Sequence, residues 1–73
     1  MRTVNAIARA ADMLEIVAAS PEPLRISAIV SAMGIPRNSA YEIVNTLASR
    51  RLLQIGDHGR VSLGPSLFEL GST

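Results

Sequence analysis

Between residues 36 and 49, PRNSAYEIVNTLAS, apolar and polar positions recur at helical spacing. At about 100° per residue, Ala40, Ile43, Val44 and Leu47 fall on one side and Asn38, Glu42, Asn45 and Ser49 on the other, flanked by Arg37, Ser39, Tyr41 and Thr46. A merely solvated face more often carries Lys and Glu, good helix formers suited to pairing four residues apart. This outer face and its flanks instead offer two asparagines, hydroxyls, an arginine and a tyrosine, groups that can bond base edges or phosphate oxygens.

Upstream, residues 5–19, NAIARAADMLEIVAA, predict a first helix with Asn5 or Thr3 as its N-cap. Ile7, Ala11, Leu14 and Ala18 repeat at the helical period and are its expected core stripe. A second apolar edge runs through Ala6, Ala10, Met13 and Val17, with Ile16 further round, so that only Arg9, Asp12 and Glu15 form a polar sector. A helix apolar over more than half its girth needs a deep position or a second partner. Burial beneath the C-terminal segment would satisfy it. So would another copy of the chain, for which the expected interface is Ala6, Ala10, Met13, Ile16 and Val17.

Pro21 and Pro23 end this helix, and residues 24–26 are expected to be extended. Ser27 is placed to cap a short helix over residues 28–33, with Ile29, Val30 and Met33 facing inward. Gly34 stands where a left-handed residue closes a helix, Ile35 plugs the turn, and Pro36 takes the first turn of the next helix, where its missing N–H costs nothing. A short helix, a tight glycine turn and a longer helix make the helix-turn-helix arrangement.

After Arg50 and Arg51 the period falls to two: Leu53 and Ile55 match Val61 and Leu63 across the polar loop 56–59, which predicts a hairpin. A hairpin directly after a helix-turn-helix is a wing. The expected fold class is therefore mainly α with a small β-hairpin, a winged helix-turn-helix over residues 1–64. Gly64 and Pro65 break the second strand, and residues 65–70 open a last helix carrying Leu67, Phe68 and Leu70, which stops at Gly71.

At 73 residues the chain is one domain, burying only about 60% of the surface its unfolded form exposes. Tyr41 and Phe68 are its only aromatic residues, so the core must be aliphatic, which suits small helical packing. Cysteine is absent, excluding a disulfide framework or a Cys zinc site, and the single histidine, His58, does not make a metal site. No cofactor is called for. One histidine and six scattered carboxylates supply no set of nucleophile, base and oxyanion donor, so an enzyme is not expected. The net charge of +1 says little alone. Its distribution says more: acids and bases balance over residues 1–35, whereas Arg37, Arg50, Arg51 and Arg60 outnumber Glu42 and Asp57 over residues 36–64. Every basic residue is arginine, whose planar fork suits phosphate and guanine. The start of the chain has neither a secretory signal nor a membrane span, and a cytoplasmic location is expected.

The chain resembles the N-terminal DNA-binding domain of IclR-family bacterial transcriptional regulators. GIPRNSAY is similar to the family's Gly-Leu-Pro-Lys-Ser-Thr-Ala-Tyr, LGPSLFELG is nearly the family's own sequence, and the likeness extends over nearly the whole chain. The resemblance implies a domain that binds double-stranded operator DNA as a homodimer. It also implies that a small-molecule effector is sensed by a separate C-terminal domain absent here, to which the helix opening residues 65–73 leads. This chain departs from the family pattern at Arg37, where lysine is usual, and at Asn38, where serine is usual. Glu42 replaces a common arginine, and Arg51 a glycine that closes the helix. Glu42 would have to accept from cytosine N4 or hold Arg37 in place.

With the 36–49 helix in the major groove, Asn38, Glu42 and Asn45 are the expected base readers, and Arg37 reaches guanine or phosphate. Ser39 and Tyr41 would orient the helix on phosphates, as would the free N–H groups around Ser27. His58 and Arg60 on the wing would touch phosphates or the minor groove. A protein-interaction module built on the same fold is the alternative.

Overall fold

The computed structural model describes residues 3–72; Met1, Arg2 and Thr73, which the expected segments include, lie outside the described residues. Helices α1 (Asn5–Ala19), α2 (Ile26–Met33) and α3 (Arg37–Ser49) precede an antiparallel hairpin of β1 (Leu53–Ile55) and β2 (Val61–Leu63), and α4 (Pro65–Gly71) follows. Type and order of these elements are those predicted. Eight apolar residues form the buried core: Met13, Val17, Ile29, Ala40, Val44, Leu47, Leu53 and Val61. They come from three helices and both strands, and no polar side chain is buried with them among the described residues.

α1 has the predicted bounds but is rotated about its axis relative to expectation. Met13 is fully buried and Val17 nearly so, with Ala10 and Leu14 packed against them, whereas Ile7 is 68% exposed and Ala11 and Ala18 are also exposed. Met13 and Val17 are thus core residues of the single chain and are not available to a second copy. The period shows that a helix has two apolar edges; α2, α3 and β2 decide which one turns inward. Neither Asn5 nor Thr3 caps the helix. Val4 holds the N-cap position with no side-chain bond, and its carbonyl accepts from Ala8 N–H at 2.9 Å.

Ser20 Oγ donates to the Glu22 carbonyl at 2.6 Å, bracketing the proline turn. Leu24 then pairs with Val61, its N–H reaching the Val61 carbonyl at 2.8 Å and its carbonyl accepting from Val61 N–H at 2.7 Å. The root of the wing is thereby tied to the approach to α2. With Leu24 fixed, α2 starts at Ile26, two residues earlier than expected; Arg25 is its N-cap residue, and Ser27 lies inside the first turn. Gly34 takes the predicted left-handed conformation, φ 65°, and donates to the Val30 carbonyl. Pro36, extended at ψ 144°, is the N-cap residue of α3 rather than a member of its first turn.

The C-terminal end of α3 is closed by Arg51 at φ 61°. Leu52 N–H donates to the Leu47 carbonyl at 2.9 Å and Arg51 N–H to the Ala48 carbonyl at 3.0 Å, the paired bonds of a Schellman motif. The closure a glycine would make is therefore kept, with a side chain in the left-handed region. α4 hangs from the same corner. Gly64 N–H donates to the Leu52 carbonyl, Ser66 N–H to the Arg51 carbonyl and Ser66 Oγ to the Arg50 carbonyl. Gly64 is buried so closely against this corner that a Cβ would overlap the Arg51 carbonyl. The hairpin register, Leu53↔Leu63 and Ile55↔Val61, is the predicted one. The connection between the strands, residues 56–60, is one residue longer than the expected loop and turns through left-handed His58 and Gly59.

Two outcomes test this packing. In dilute monomeric solution Met13→Ala costs about 2–5 kcal/mol and Ile7→Ala under about 0.5 kcal/mol by urea denaturation; equal losses would mean that α1 faces the other way. Arg51→Gly raises stability by about 0.5–1 kcal/mol, because the left-handed cost of a side chain exceeds the added freedom of glycine. A fall in the denaturation midpoint would show that the exposed pair with Glu69 outweighs that strain.

Candidate nucleic-acid interface

Burial of Ala40, Val44 and Leu47 turns the opposite face of α3 to solvent. Asn38, Glu42 and Asn45 are all exposed there. Their spacing, four and then three residues, sets them in one row about 10 Å long at the helical rise, close to the rise of three base pairs. None of the three side chains has a hydrogen bond or ion pair among the described residues. The neighbouring hydroxyls are committed differently. Thr46 Oγ1 donates to the Glu42 carbonyl at 2.7 Å and Ser49 Oγ to the Thr46 carbonyl at 2.6 Å, so both turn back onto their own helix. Glu42 does not hold Arg37. The single ion pair among the described residues is Arg51 to Glu69 at 3.2 Å, with both side chains more than half exposed.

The start of α3 faces the start of α2 and the wing tip across an open cleft. Arg25, Ser27, Arg37, Tyr41 and His58 line it together with Ile26 and Gly59. Four of the expected contact residues are thus brought together from three elements. Ser39 is half-buried on the flank of α3. Arg60 is not in this cleft; half-buried, it lines a separate depression with Glu22 and Pro23. Arg25 went unrecognised in the sequence because Ser27 is the stronger capping residue by type, which leaves Arg25 looking like part of an extended connector. The signal that places it is the Leu24–Val61 pairing, which no local pattern records.

The five residues expected at a dimer interface do not share one surface. Met13 and Val17 are buried in the core. Ala6 and Ala10 line a shallow apolar depression with Ile43 and Leu47 of α3, and Ile16 lies in a groove with Arg9, Glu15 and Met33. The outward row on α1 is instead Val4, Ile7, Ala11, half-buried Leu14 and Ala18, whose alternating spacing of three and four is that of a coiled-coil seam. Among the described residues no group of three or more acidic or histidine side chains could hold a metal, and no helix is long and apolar enough to cross a membrane.

Comparison with known proteins adds the following. The model of the IclR helix-turn-helix domain matches residues 6–55. The chain is 34% identical over 73 residues to the glycerol operon regulatory protein of Streptomyces coelicolor, a match covering 99% of this chain and 29% of that protein. It is 34% identical over 68 residues to the HTH-type transcriptional regulator TtgV of Pseudomonas putida, covering 92% and 26% respectively. The repressor BlcR of Agrobacterium tumefaciens superposes with a TM-score of 0.88 at 27% identity, over 96% of this chain and 28% of that one. The chain spans under a third of the length of each.

Proposed function

The chain belongs to the IclR helix-turn-helix family, a family of transcriptional regulators rather than enzymes, and from that premise we propose that it binds operator DNA sequence-specifically, with α3 in the major groove. The observation that carries this reading is the row Asn38, Glu42 and Asn45, exposed and uncommitted beside hydroxyls that are satisfied internally. An asparagine pairs with adenine N6 and N7, and a carboxylate accepts from cytosine N4. Glu42 therefore favours cytosine at the centre of the contacted triplet. Arg37 reaches guanine or a phosphate, and Ser39 and Tyr41 set the helix against the backbone. Arg60, set apart from the cleft, has the smaller share of the wing's contacts.

A single module of this kind buries about 600–1,000 Å² on DNA, and a net charge of +1 adds little to such a footprint. Useful affinity requires two copies. Their contact is the outward seam Val4, Ile7, Ala11, Leu14 and Ala18, where alanines let two helices approach closely, Val4 and Ile7 are exposed and Leu14 is only half-covered within the chain. Paired in this way, two reader helices meet successive major grooves about 34 Å apart, or a multiple of that, and the operator is a palindrome or nearly so. In the same reading α4 begins the linker helix, residues 65–73, and small-molecule sensing belongs to a further domain, as the greater length of the relatives suggests. The protein acts in the bacterial cytoplasm.

Selection of bound duplexes from a random library, followed by band shifts in modest salt, tests the reading directly. Asn45→Ala costs about 1–3 kcal/mol and relaxes preference at one base pair; an equal loss on random duplex would overturn base reading by this residue. Ile7→Glu leaves the helical signal unchanged and the half-site affinity intact, but lowers affinity for the full palindrome by about a hundredfold. A variant that still sediments as a dimer removes the seam from the interface.

A further inference from the structure

The cleft between the starts of α2 and α3 and the wing tip carries an inference beyond base reading, resting on the proposal that this domain binds DNA. Arg25, Arg37 and His58 converge there, and none of their side chains has a hydrogen bond or ion pair among the described residues. No acidic side chain lines the cleft; Asp57, adjacent to His58 in sequence, is not among the lining residues. Two arginines on the walls of one cleft without a counter-charge give it a positive surface that favours an anion. Backbone donors add to it. α2 has no side-chain cap, and the Ile26 and Ser27 N–H groups find no acceptor among the described residues, which leaves a helix N-terminus open toward the same space. Ser27 and Tyr41 supply hydroxyls at its walls.

The wing tip shows strain at this place. His58 has φ 60° and Gly59 φ 69°, two successive left-handed residues, of which only the glycine adopts that conformation without cost. Glycine or asparagine at position 58 would relax the turn. His58 in that conformation lines the same cleft as Arg25 and Arg37, and strained backbone of this kind tends to occur where a ligand is held.

We propose that this cleft is a clamp for a single backbone phosphodiester of the operator, with Arg25 as its principal charge, Arg37 and the α2 N–H groups as further donors, and His58 closing it from the wing. The clamp fixes the reader helix along the groove axis, because one phosphate is gripped at once from α2, α3 and the hairpin. Its recognition chemistry is that of a monoanionic phosphate with two free oxygens, matched by the guanidinium fork.

The experiment is a methylphosphonate scan of the selected duplex, neutralising one phosphate at a time, with the wild-type chain and with Arg25→Gln. One position in each half-site weakens wild-type binding about tenfold and the Arg25→Gln variant by less than about twofold, and Arg25→Gln lowers the salt slope by about one unit. His58→Gly couples to the same position while its melting temperature holds or rises, a combination that a merely structural role would not give. If the duplex is bound but no position couples to Arg25, the clamp is refuted and base reading by α3 stands. If no duplex is bound, the DNA-binding reading falls with it. Inorganic phosphate titrated at constant ionic strength is expected to give no saturable displacement of the duplex. Saturation at submillimolar phosphate would overturn the assignment in favour of a free small anion.

Discussion

The position of α3 depends on a core of eight side chains without a polar atom among them. Ala40 and Val44 are fully buried and Leu47 nearly so, and each meets residues that arrive from elsewhere in the chain: Met13 from α1, Ile29 from α2, Leu53 and Val61 from the hairpin. With so few residues in the interior, each one fixes an orientation as well as adding stability. Burying one edge of α3 fixes what its other edge presents to solvent. The row of amides and carboxylate is outward because the aliphatic row has no alternative site in so small a domain.

Electrostatics act on this frame locally. A net charge of +1 gives little long-range attraction to a polyanion. Yet Arg25 and Arg37 are unpaired, and the described ion pair, Arg51 to Glu69, lies between the last helix and the far end of α3. Arg25 and Arg37, at the starts of α2 and α3, are thus left without an ion pair, whereas Arg51 beyond the end of α3 has one. Glu42, set within the reading row, works against nonspecific attraction to phosphate and raises the relative weight of base contacts.

How much of this was legible beforehand follows from where each signal resides. The pattern of α3 is readable because its two faces differ sharply in chemistry; the four residues expected inward are buried or half-buried and the four expected outward are exposed. Hairpin register was readable from period-two matching about a glycine-bounded loop. α1 was readable in extent but not in rotation, since both edges are apolar and the deciding contacts with α2, α3 and β2 are distant in sequence. The same cause displaced the α2 start. Ser27 is a sound cap by residue type, yet the Leu24–Val61 pairing sets the chain so that the helix opens two residues earlier. Arg25 lines the cleft and Arg60 lies outside it for the same reason: backbone pairing that leaves no local trace in the sequence sets where each one stands.

The corner where Gly64 is pressed against Arg51 has a mechanical meaning. Three hydrogen bonds from residues 64 and 66 end on the carbonyls of 50, 51 and 52, so the final helix and the tail of α3 share one corner. A side chain at residue 64 has no room against the Arg51 carbonyl, so the direction in which α4 leaves the domain is set by the closing turn of α3.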